Sequence, residues 1–260
     1  MADAVIHPSA VIEPGAEIGP GVSIGPFCVI GSQVRLAAGV ELKSHVVIAG
    51  DTSVGEGTVI FPFASIGQDP QDLKFKGEHT RLEIGARNRI REYVTMKPGT
   101  EGGGGVTRIG DDGLFMANCH VAHDCQIGNR VVLVYSVAVA GHCVLGDDVI
   151  VGGLSGIHQF VRIGRGAMIG ALSMVTADVI PYGLVQGPRA HLDGLNLVGL
   201  KRRGANRAEI AELREVLARL HDGSFRDTAR ELASMDRGAM VGEVLDFILG
   251  PSERSFLKPA

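Results

Sequence analysis

Branched aliphatic residues recur at every sixth position through long stretches of the chain. The first series occupies eleven consecutive such positions from Ile6 to Ile66. A second series of twelve positions runs from Ile109 to Val175, with Phe115 in place of an aliphatic residue at one of them. Between the two series, the register returns at Ile84, Ile90 and Met96. Small residues often stand two positions before the aliphatic or directly after it. This pattern predicts many very short strands joined by tight turns.

Three such hexads make one triangular coil, and this hexapeptide repeat predicts a parallel β-helix. Each aliphatic should point inward and stack on its equivalents about 4.8 Å away in the neighbouring coils. All four cysteines stand two positions before an inward aliphatic, where other hexads carry Ala, Val, Thr or Ser: Cys28, Cys119, Cys125 and Cys143. We therefore expect them to be small buried side chains, neither paired in disulfides nor bound to metal.

Two interruptions of the repeat predict loops, at about residues 68–83 and 97–107. Long loops on a rigid scaffold often carry function, and we expect this of the first loop because it contains a cluster of Gln, Asp and Lys. For the glycine-rich second loop, a functional segment and a tolerated insertion remain equally open.

The hexads fade after Thr176, and we assign residues 1–190 to the β-helix and 191–260 to a C-terminal helical domain. Asn206 and Glu209 form a capping pair for one helix, which we expect to end at Gly223. Ser224 and Asp227 should open a second helix. This helix should bury Phe225, Leu232 and Met235, and a third should bury Val241, Val244, Leu245 and Ile248.

Composition and charge narrow the function classes. Glycine accounts for 37 of 260 residues, aromatic residues for 5%, and tryptophan is absent, which fits tight turns around a thin aliphatic core. The net charge of −4 gives no electrostatic reason to bind nucleic acid. The N-terminus lacks a signal-peptide pattern, and no uninterrupted apolar stretch is long enough to span a membrane. We therefore expect a cytoplasmic protein without stable membrane insertion.

Histidines gather on one side of three successive coils. Val121, Val139 and Ile157 recur at every third hexad, and beside them stand the imidazoles of His120, His123, His142 and His158. A lone histidine is usually structural, but such a column, with Asp124 and Gln159 beside it, predicts an active site. Two chemistries fit: three imidazoles binding zinc, or one acting as general base while the others bind substrate.

An outward apolar stripe predicts self-association. Four aliphatic residues spaced three hexads apart each precede an inward one and should therefore face outward: Leu114, Val132, Ile150 and Met168. An exposed apolar ladder usually marks an interface or a groove, so we expect a homotrimer of β-helices packed side by side, with clefts between subunits.

Six features in this order carry a resemblance to a known family. They are the β-helix, Gln71-Asp72-Leu73-Lys74, His120-Val121-Ala122-His123-Asp124-Cys125, Gly141-His142, His158-Gln159-Phe160 and Gly199-Leu200-Lys201-Arg202-Arg203-Gly204. Together they resemble the acyl-carrier-protein-dependent UDP-N-acetylglucosamine O-acyltransferases that start lipid A synthesis, over nearly the whole chain. This resemblance implies a left-handed helix and transfer of an (R)-3-hydroxyacyl group from acyl-carrier protein to the sugar 3-hydroxyl.

The resemblance also implies roles for individual residues. His123 matches the general base, Asp124 the residue that orients it, and the backbone N–H of Gly141 the oxyanion donor. The substrate-binding positions are matched by Gln71, Asp72, Lys74, His120, His142, His158, Gln159, Asn196, Arg202 and Arg203. Ala171 matches the position associated with acyl-chain length. The resemblance implies neither a metal nor a cofactor, because the acyl group is carried on the phosphopantetheine of acyl-carrier protein.

Some positions depart from the family pattern, and alternatives remain. Val198 stands where a glutamate is usual, and Lys97-Pro98 replaces a His-Arg pair. Acylation of a 3-amino UDP-sugar by the same machinery is one alternative. A zinc-dependent hydratase resembling the γ-class carbonic anhydrases is another.

Overall fold

The computed structural model describes residues 3–221, 224–235 and 237–258. Its main part is a parallel β-helix with three faces, here called A, B and C in the order in which the chain meets them. Successive strands on one face pair in parallel and are usually three hexads apart, as in Val121 with Val139 and Val139 with Ile157. The predicted coil of three hexads is therefore confirmed.

Each face is a ladder of mostly two-residue strands. Face A stacks Val5–Ile6, Ser23–Ile24, Glu41–Leu42, Val59–Ile60, Arg89–Ile90, Leu114–Phe115, Val132–Leu133, Ile150–Val151, Met168–Ile169, Gly183–Gln186 and, antiparallel to the last, His191–Leu195. Face B stacks Val11–Ile12, Val29–Ile30, Val47–Ile48, Ser65–Ile66, Thr95–Met96, His120–Val121, Ala138–Val139, Gly156–Ile157 and Met174–Val175. Face C stacks Glu17–Ile18, Arg35–Leu36, Asp51–Val54, Arg81–Ile84, Val106–Ile109, Gln126–Ile127, Val144–Leu145 and Arg162–Ile163.

The repeated aliphatic forms the core, as predicted. Ile30, Ile48 and Leu133 are completely buried, and burial of one such side chain is worth about 1.5–3 kcal/mol. Ile6 is 43% exposed because the first coil packs against a neighbouring coil on one side only. All four cysteines are free and buried, which confirms their prediction as small core residues.

Both loops leave the helix at the same corner, the one between faces B and C, here called corner BC. The first joins Ser65–Ile66 to Arg81–Ile84, and the second joins Thr95–Met96 to Val106–Ile109 and contains a short 3₁₀ turn, Glu101–Gly103. The coil stack continues undisturbed across both, since strand pairing on face B simply passes from Ser65 to Thr95 and then to His120.

Four helices follow the β-helix: α1 (Leu197–Arg202), α2 (Arg207–His221), α3 (Phe225–Ala233) and α4 (Ala239–Leu249). The predicted capping pair is confirmed, because the Asn206 N–H donates to Glu209 and the Glu209 N–H donates to the Asn206 side chain. The predicted end of α2 at Gly223 lies outside the described residues. Among the residues described, no helix is long and apolar enough to cross a membrane.

Three details of the predicted helical segment differ. His191–Leu195 is a strand, so helix begins only at Leu197. Ser224 precedes α3, but its side chain makes no capping bond to the described residues of this helix. The predicted burial of Met235 is wrong: its side chain is 44% exposed, because it lies beyond the last residue of α3. Phe225 and Leu232 are buried as predicted, and so are the four apolar residues expected for α4.

Candidate active site

The predicted histidine column lies at corner BC. His123 and His142 contact each other edge to face, with ring centroids 5.0 Å apart, and the ring of Phe160 stacks on His142 at 4.5 Å. These residues belong to successive coils, since the His142 N–H donates to the His123 carbonyl and the Phe160 N–H to the Gly141 carbonyl. The coil repeat itself therefore places the rings one above the next.

The Asp124 carboxylate is buried and fully engaged. It accepts hydrogen bonds from His123 Nδ1 at 2.8 Å, from the Thr100 N–H at 2.8 Å and from Thr100 Oγ1 at 2.7 Å. His142 Nδ1 lies 3.7 Å from the same carboxylate. A carboxylate that accepts from Nδ1 leaves His123 Nε2 as the acceptor nitrogen of a neutral imidazole.

Gly141 approaches the His123 ring closely. A Cβ atom at this position would lie 2.6 Å from His123 Cε1 and 2.7 Å from Nε2, so only glycine fits beside the imidazole as it stands. Among the described residues, the Gly141 N–H makes no hydrogen bond. An unpaired backbone donor next to a candidate base is the geometry needed to bind a developing oxyanion.

Two clefts flank the histidines. On the side of face C, a cleft of about 850 Å³ is lined by Asp72, Lys74, Glu78, Thr100, Glu101, Gly102, Gly103, Gly104, Val106, Arg108, Asp124, Gln126, His142, Phe160 and Glu253. On the side of face B, a groove of about 480 Å³ is lined by Gln71, Lys97, His120, Ala122, His123, Ala138, Val139, Ala140, Gly141, Gly156, Ile157, His158, Gln159 and Met174. Ten of the predicted site residues thus line one cleft or the other.

Four predicted residues lie elsewhere. Asn196 caps α1 through the Gly199 N–H and donates to the Gly166 carbonyl, at the corner between faces C and A, called corner CA. Arg203 also contacts the Gly166 carbonyl, and Arg202 is exposed on the same helix. Ala171 is exposed at the corner between faces A and B and does not line the groove. Within one chain, these residues and His123 occupy different corners.

Burial shifts the titration of two histidines. Desolvation lowers the pKa of His120, and the positive charge of Lys97, together with that of His123 whenever its ring is protonated, lowers it further. Desolvation also lowers the pKa of His142, although the carboxylate of Asp124 opposes this shift. Both imidazoles therefore favour the neutral form, which can donate one hydrogen bond and accept another.

Comparison with known proteins identifies the family. The family model of UDP-N-acetylglucosamine O-acyltransferase, domain 2, matches residues 178–257, and that of the bacterial transferase hexapeptide matches residues 1–32. An acyl-[acyl-carrier-protein]–UDP-N-acetylglucosamine O-acyltransferase of Rhizobium leguminosarum is 48% identical over 98% of this chain and 95% of its own. The enzyme of that name from Paracoccus denitrificans is 81% identical over 77% of each chain.

The chain belongs to the UDP-N-acetylglucosamine O-acyltransferase family. Solved structures agree: a UDP-N-acetylglucosamine acyltransferase at 45% identity has a TM-score of 0.95 and covers 98% of this chain and 99% of its own. The Campylobacter jejuni acyltransferase, at 37% identity, has a TM-score of 0.92 over 98% of this chain and all of its own. The predicted family, left-handed β-helix and acyltransferase class are thereby confirmed.

Sequence reasoning missed three residues at the site of this acyltransferase. Thr100 comes from the second loop, whose role the sequence leaves open, and makes two hydrogen bonds to Asp124. Arg254 reaches corner BC from the segment after α4 and contacts His158. Neither residue carries a sequence signal, because each is brought to the site by tertiary packing.

Lys97 is the third, noted in the sequence only as a departure from the family. It is 7% exposed and lines the groove, yet within the described part of the chain it forms neither an ion pair nor a side-chain hydrogen bond. Desolvation lowers the pKa of its ammonium group, although the charge of Asp69 opposes this. The groove of this acyltransferase thus contains a largely buried cation next to His120.

Proposed function

We propose that this protein transfers an (R)-3-hydroxyacyl group from acyl-carrier protein to the 3-hydroxyl of UDP-N-acetylglucosamine, the first step of lipid A biosynthesis. The observation that carries this proposal is the His123–Asp124 pair beside Gly141 in a chain of this acyltransferase family. The two substrates are those for which the related enzymes are named, and the geometry of corner BC supports a role for each.

His123 is the general base of the proposed reaction. Its Nδ1–H donates to Asp124, so Nε2 can take the proton from the sugar hydroxyl as the hydroxyl oxygen attacks the thioester carbonyl. The tetrahedral intermediate then expels the phosphopantetheine thiolate, and the imidazolium returns its proton to the sulfur. Asp124 holds the ring in one tautomer and stabilises the imidazolium, as the third member does in other nucleophile–base sites.

The backbone N–H of Gly141 stabilises the oxyanion in this scheme. Gly141 lies next to the His123 ring, and among the described residues its N–H makes no other hydrogen bond. Removal of a single preorganised donor of this kind typically lowers kcat by about 10²–10³-fold.

The groove on the side of face B suits the acyl chain. Its floor follows the register His120, Ala138, Gly156 and Met174, so two small residues separate the histidine from the methionine. Each strand adds about 4.8 Å along this floor. The polar cleft on the side of face C, with Asp72 and His142, suits the sugar. The effect of Ala171 on chain length stays a prediction.

We also propose that the active protein is a homotrimer. Asn196, Arg202 and Arg203, which the resemblance assigns to the nucleotide, lie at corner CA, one face away from His123. A neighbouring copy could bring its corner CA to this chain's corner BC and complete the site. The apolar stripe on face A, including Val132 and Ile150, is half-exposed and supports such packing.

The basic segment around α1 suits acyl-carrier protein as a partner. Lys201, Arg202, Arg203 and Arg207 lie together without an acidic neighbour between residues 195 and 208. An acidic carrier would be attracted to such a patch. A cytoplasmic location fits these substrates and stays a prediction.

The zinc alternative is less favoured. His123, Asp124 and His142 offer ligand atoms within 4.8 Å of one another, a set that could hold a metal ion. However, both oxygens of Asp124 already accept hydrogen bonds from Thr100, and His123 Nδ1 donates to the same carboxylate. The family assignment also favours acyl transfer over a γ-class carbonic anhydrase. Full activity after treatment with a chelator is the expected result.

Replacing the base tests the proposal. His123→Ala should trimerise and melt like the wild type but lose acyl transfer by about 10²–10⁴-fold, the usual contribution of a general base. The assay uses UDP-N-acetylglucosamine, its 3-amino analogue and hydroxyacyl-carrier proteins of graded chain length. Near-normal turnover by the variant would refute the mechanism, and preference for the 3-amino sugar would replace the proposed acceptor.

A further inference from the structure

The segment after α4 folds back onto the β-helix and is held on both sides of Arg254. Ser252 Oγ donates to Asp178 Oδ2 at 2.6 Å, the Asp178 N–H donates to the Ser255 carbonyl at 2.7 Å, and the Leu257 N–H donates to the Asp178 carbonyl at 2.8 Å. Asp178 is completely buried and pairs with Arg162 at 2.7 Å. The backbone around Arg254 is therefore held at defined points.

From this position, the Arg254 side chain reaches corner BC. Nε donates to the Gln159 carbonyl at 3.1 Å, and Nη2 lies 2.8 Å from His158 Nδ1. Two contacts from one planar guanidinium define its orientation as well as its distance. The C-terminal segment thus supplies a group that touches a candidate substrate-binding histidine.

This contact decides the tautomer of His158. A guanidinium has donors and no acceptor, so Nδ1 must accept the hydrogen bond and cannot carry a proton. The neutral ring then carries its proton on Nε2. His158 lines the groove beside His123, and Nε2 is its remaining polar atom. A ligand in the groove therefore meets His158 as a hydrogen-bond donor.

A competing arrangement exists within the same residues. His158 Nδ1 is also 3.3 Å from the Gln159 carbonyl, the oxygen that accepts from Arg254 Nε. Without Arg254, this oxygen would lose a donor, and a proton on Nδ1 could satisfy it. Nε2 would then become an acceptor and would no longer donate to an oxygen of the ligand.

We propose that Arg254 is a positioning residue that fixes His158 as an Nε2–H donor to a hydroxyl or carbonyl oxygen of the substrate. The substrate part of this inference rests on the proposed acyl transfer. The tautomer part rests on the contacts of Arg254 alone and can be tested without turnover.

Nitrogen NMR of ¹⁵N-histidine-labelled protein tests the tautomer above the ordinary pKa of histidine. His158 is assigned by the loss of its signals in His158→Gln. Wild type should show a protonated Nε2 and an unprotonated Nδ1, and Arg254→Met should shift the proton toward Nδ1. The matched control is Arg226→Met, because Arg226 also donates to a carbonyl, that of Gly250, away from the site. A wild-type proton on Nδ1, or no change in Arg254→Met, would overturn the proposal.

Kinetics of the full-length enzyme test the coupling. Arg254→Met should lower kcat/KM by about tenfold, the value of one lost hydrogen bond to substrate. It should lower kcat/KM no further when it is added to His158→Gln, since residues that act through each other are not additive. An equal loss in both backgrounds would show that Arg254 acts independently of His158. If the wild type has no acyl-transfer activity, the proposed function fails while the NMR result still decides the tautomer.

Discussion

Asp124 combines a left-handed backbone conformation with a buried carboxylate that accepts several hydrogen bonds. Its φ of +60° places it in the left-handed region at a turn of the coil, and its carboxylate accepts from His123 and from both donors of Thr100. A Cβ at Gly103 would lie 2.0 Å from its Cγ, so the second loop needs glycine there to pass over the carboxylate. Gly103 is therefore needed for the second loop to pack on the candidate site.

Gly141→Ala tests the fit beside the base. The added Cβ would meet the His123 ring at 2.6 Å, so the imidazole must move away from the position in which it is proposed to act as base. We expect kcat to fall by about 10²-fold, because displacement of a catalytic group by about 1 Å has this effect. Steady-state kinetics measure the loss, and thermal melting checks the fold.

Gly102→Ala is the control for this substitution. Gly102 also lines the candidate site, but a Cβ there would meet no atom of the described residues within 4 Å, and its φ is not positive. Its kcat should stay within about twofold of the wild type. Equal rates for the two alanine variants would contradict the assigned role of Gly141.

The pairing of His123 with Asp124 agrees with the role that the family resemblance implies for Asp124, whereas the setting of Lys97 could not be predicted. Lys97 is the first residue after its strand on face B, in a column whose other members include Gly67, Ala122 and Ala140. The period predicts a small residue at such a position. It does not show how a long side chain is accommodated there, since that depends on the loop packed against it.

At the level of elements, glycine is required at some positions of the repeat and not at corresponding ones. The reason is that the distance to the neighbouring coil differs between these positions. Gly31 and Gly55 both directly follow an inward aliphatic. A Cβ at Gly55 would lie 2.4 Å from the Gly85 carbonyl carbon, a backbone atom that cannot turn aside. At Gly31 the nearest atom, Ala49 Cα, would be 3.3 Å away.

Gly55→Ala should therefore destabilise the protein much more than Gly31→Ala does. We expect a loss of about 2–4 kcal/mol for the first, from overpacking against rigid backbone, and under about 1 kcal/mol for the second. Urea unfolding followed by circular dichroism measures both. Similar midpoints for the two variants would show that the coils separate freely to accommodate a methyl group.

At the level of elements, the repeated strands could be predicted from the sequence, whereas the elements outside the repeat could not. The period of six predicted the strands, the two loops and the buried cysteines, because every coil buries side chains at the same positions of its hexads. The hairpin of Gly183–Gln186 with His191–Leu195 was missed, since it has no repeat. The docking of the last segment on Asp178 was missed as well, because it joins positions that are far apart in the sequence.

For the whole molecule, the separation of corners BC and CA predicts that two copies share each site. A mixture of His123→Ala and Arg203→Ala chains, unfolded and refolded together, should recover activity that neither variant has alone. Some mixed trimers would pair an intact corner BC with an intact corner CA from a neighbour. Multi-angle light scattering should give about three times the chain mass of 27.3 kDa.

Refolding each variant separately and then mixing them is the control for subunit exchange. No recovery in co-refolded samples that are trimeric by light scattering would indicate that each chain completes its own site. A monomeric mass would contradict the proposed assembly itself.

The placement of both loops at corner BC has a consequence for how such a protein can change over evolutionary time. Strand partners that flank a loop, such as Val59 with Arg89 and Arg89 with Leu114, are further apart in sequence than the usual three hexads. The pairing on every face nevertheless continues in register beyond them. An inserted loop therefore leaves the strand pairing of the following coils unchanged. Corner BC, which bears the histidine column, can therefore gain, lose or exchange loop segments while the strand pairing of the coils stays the same.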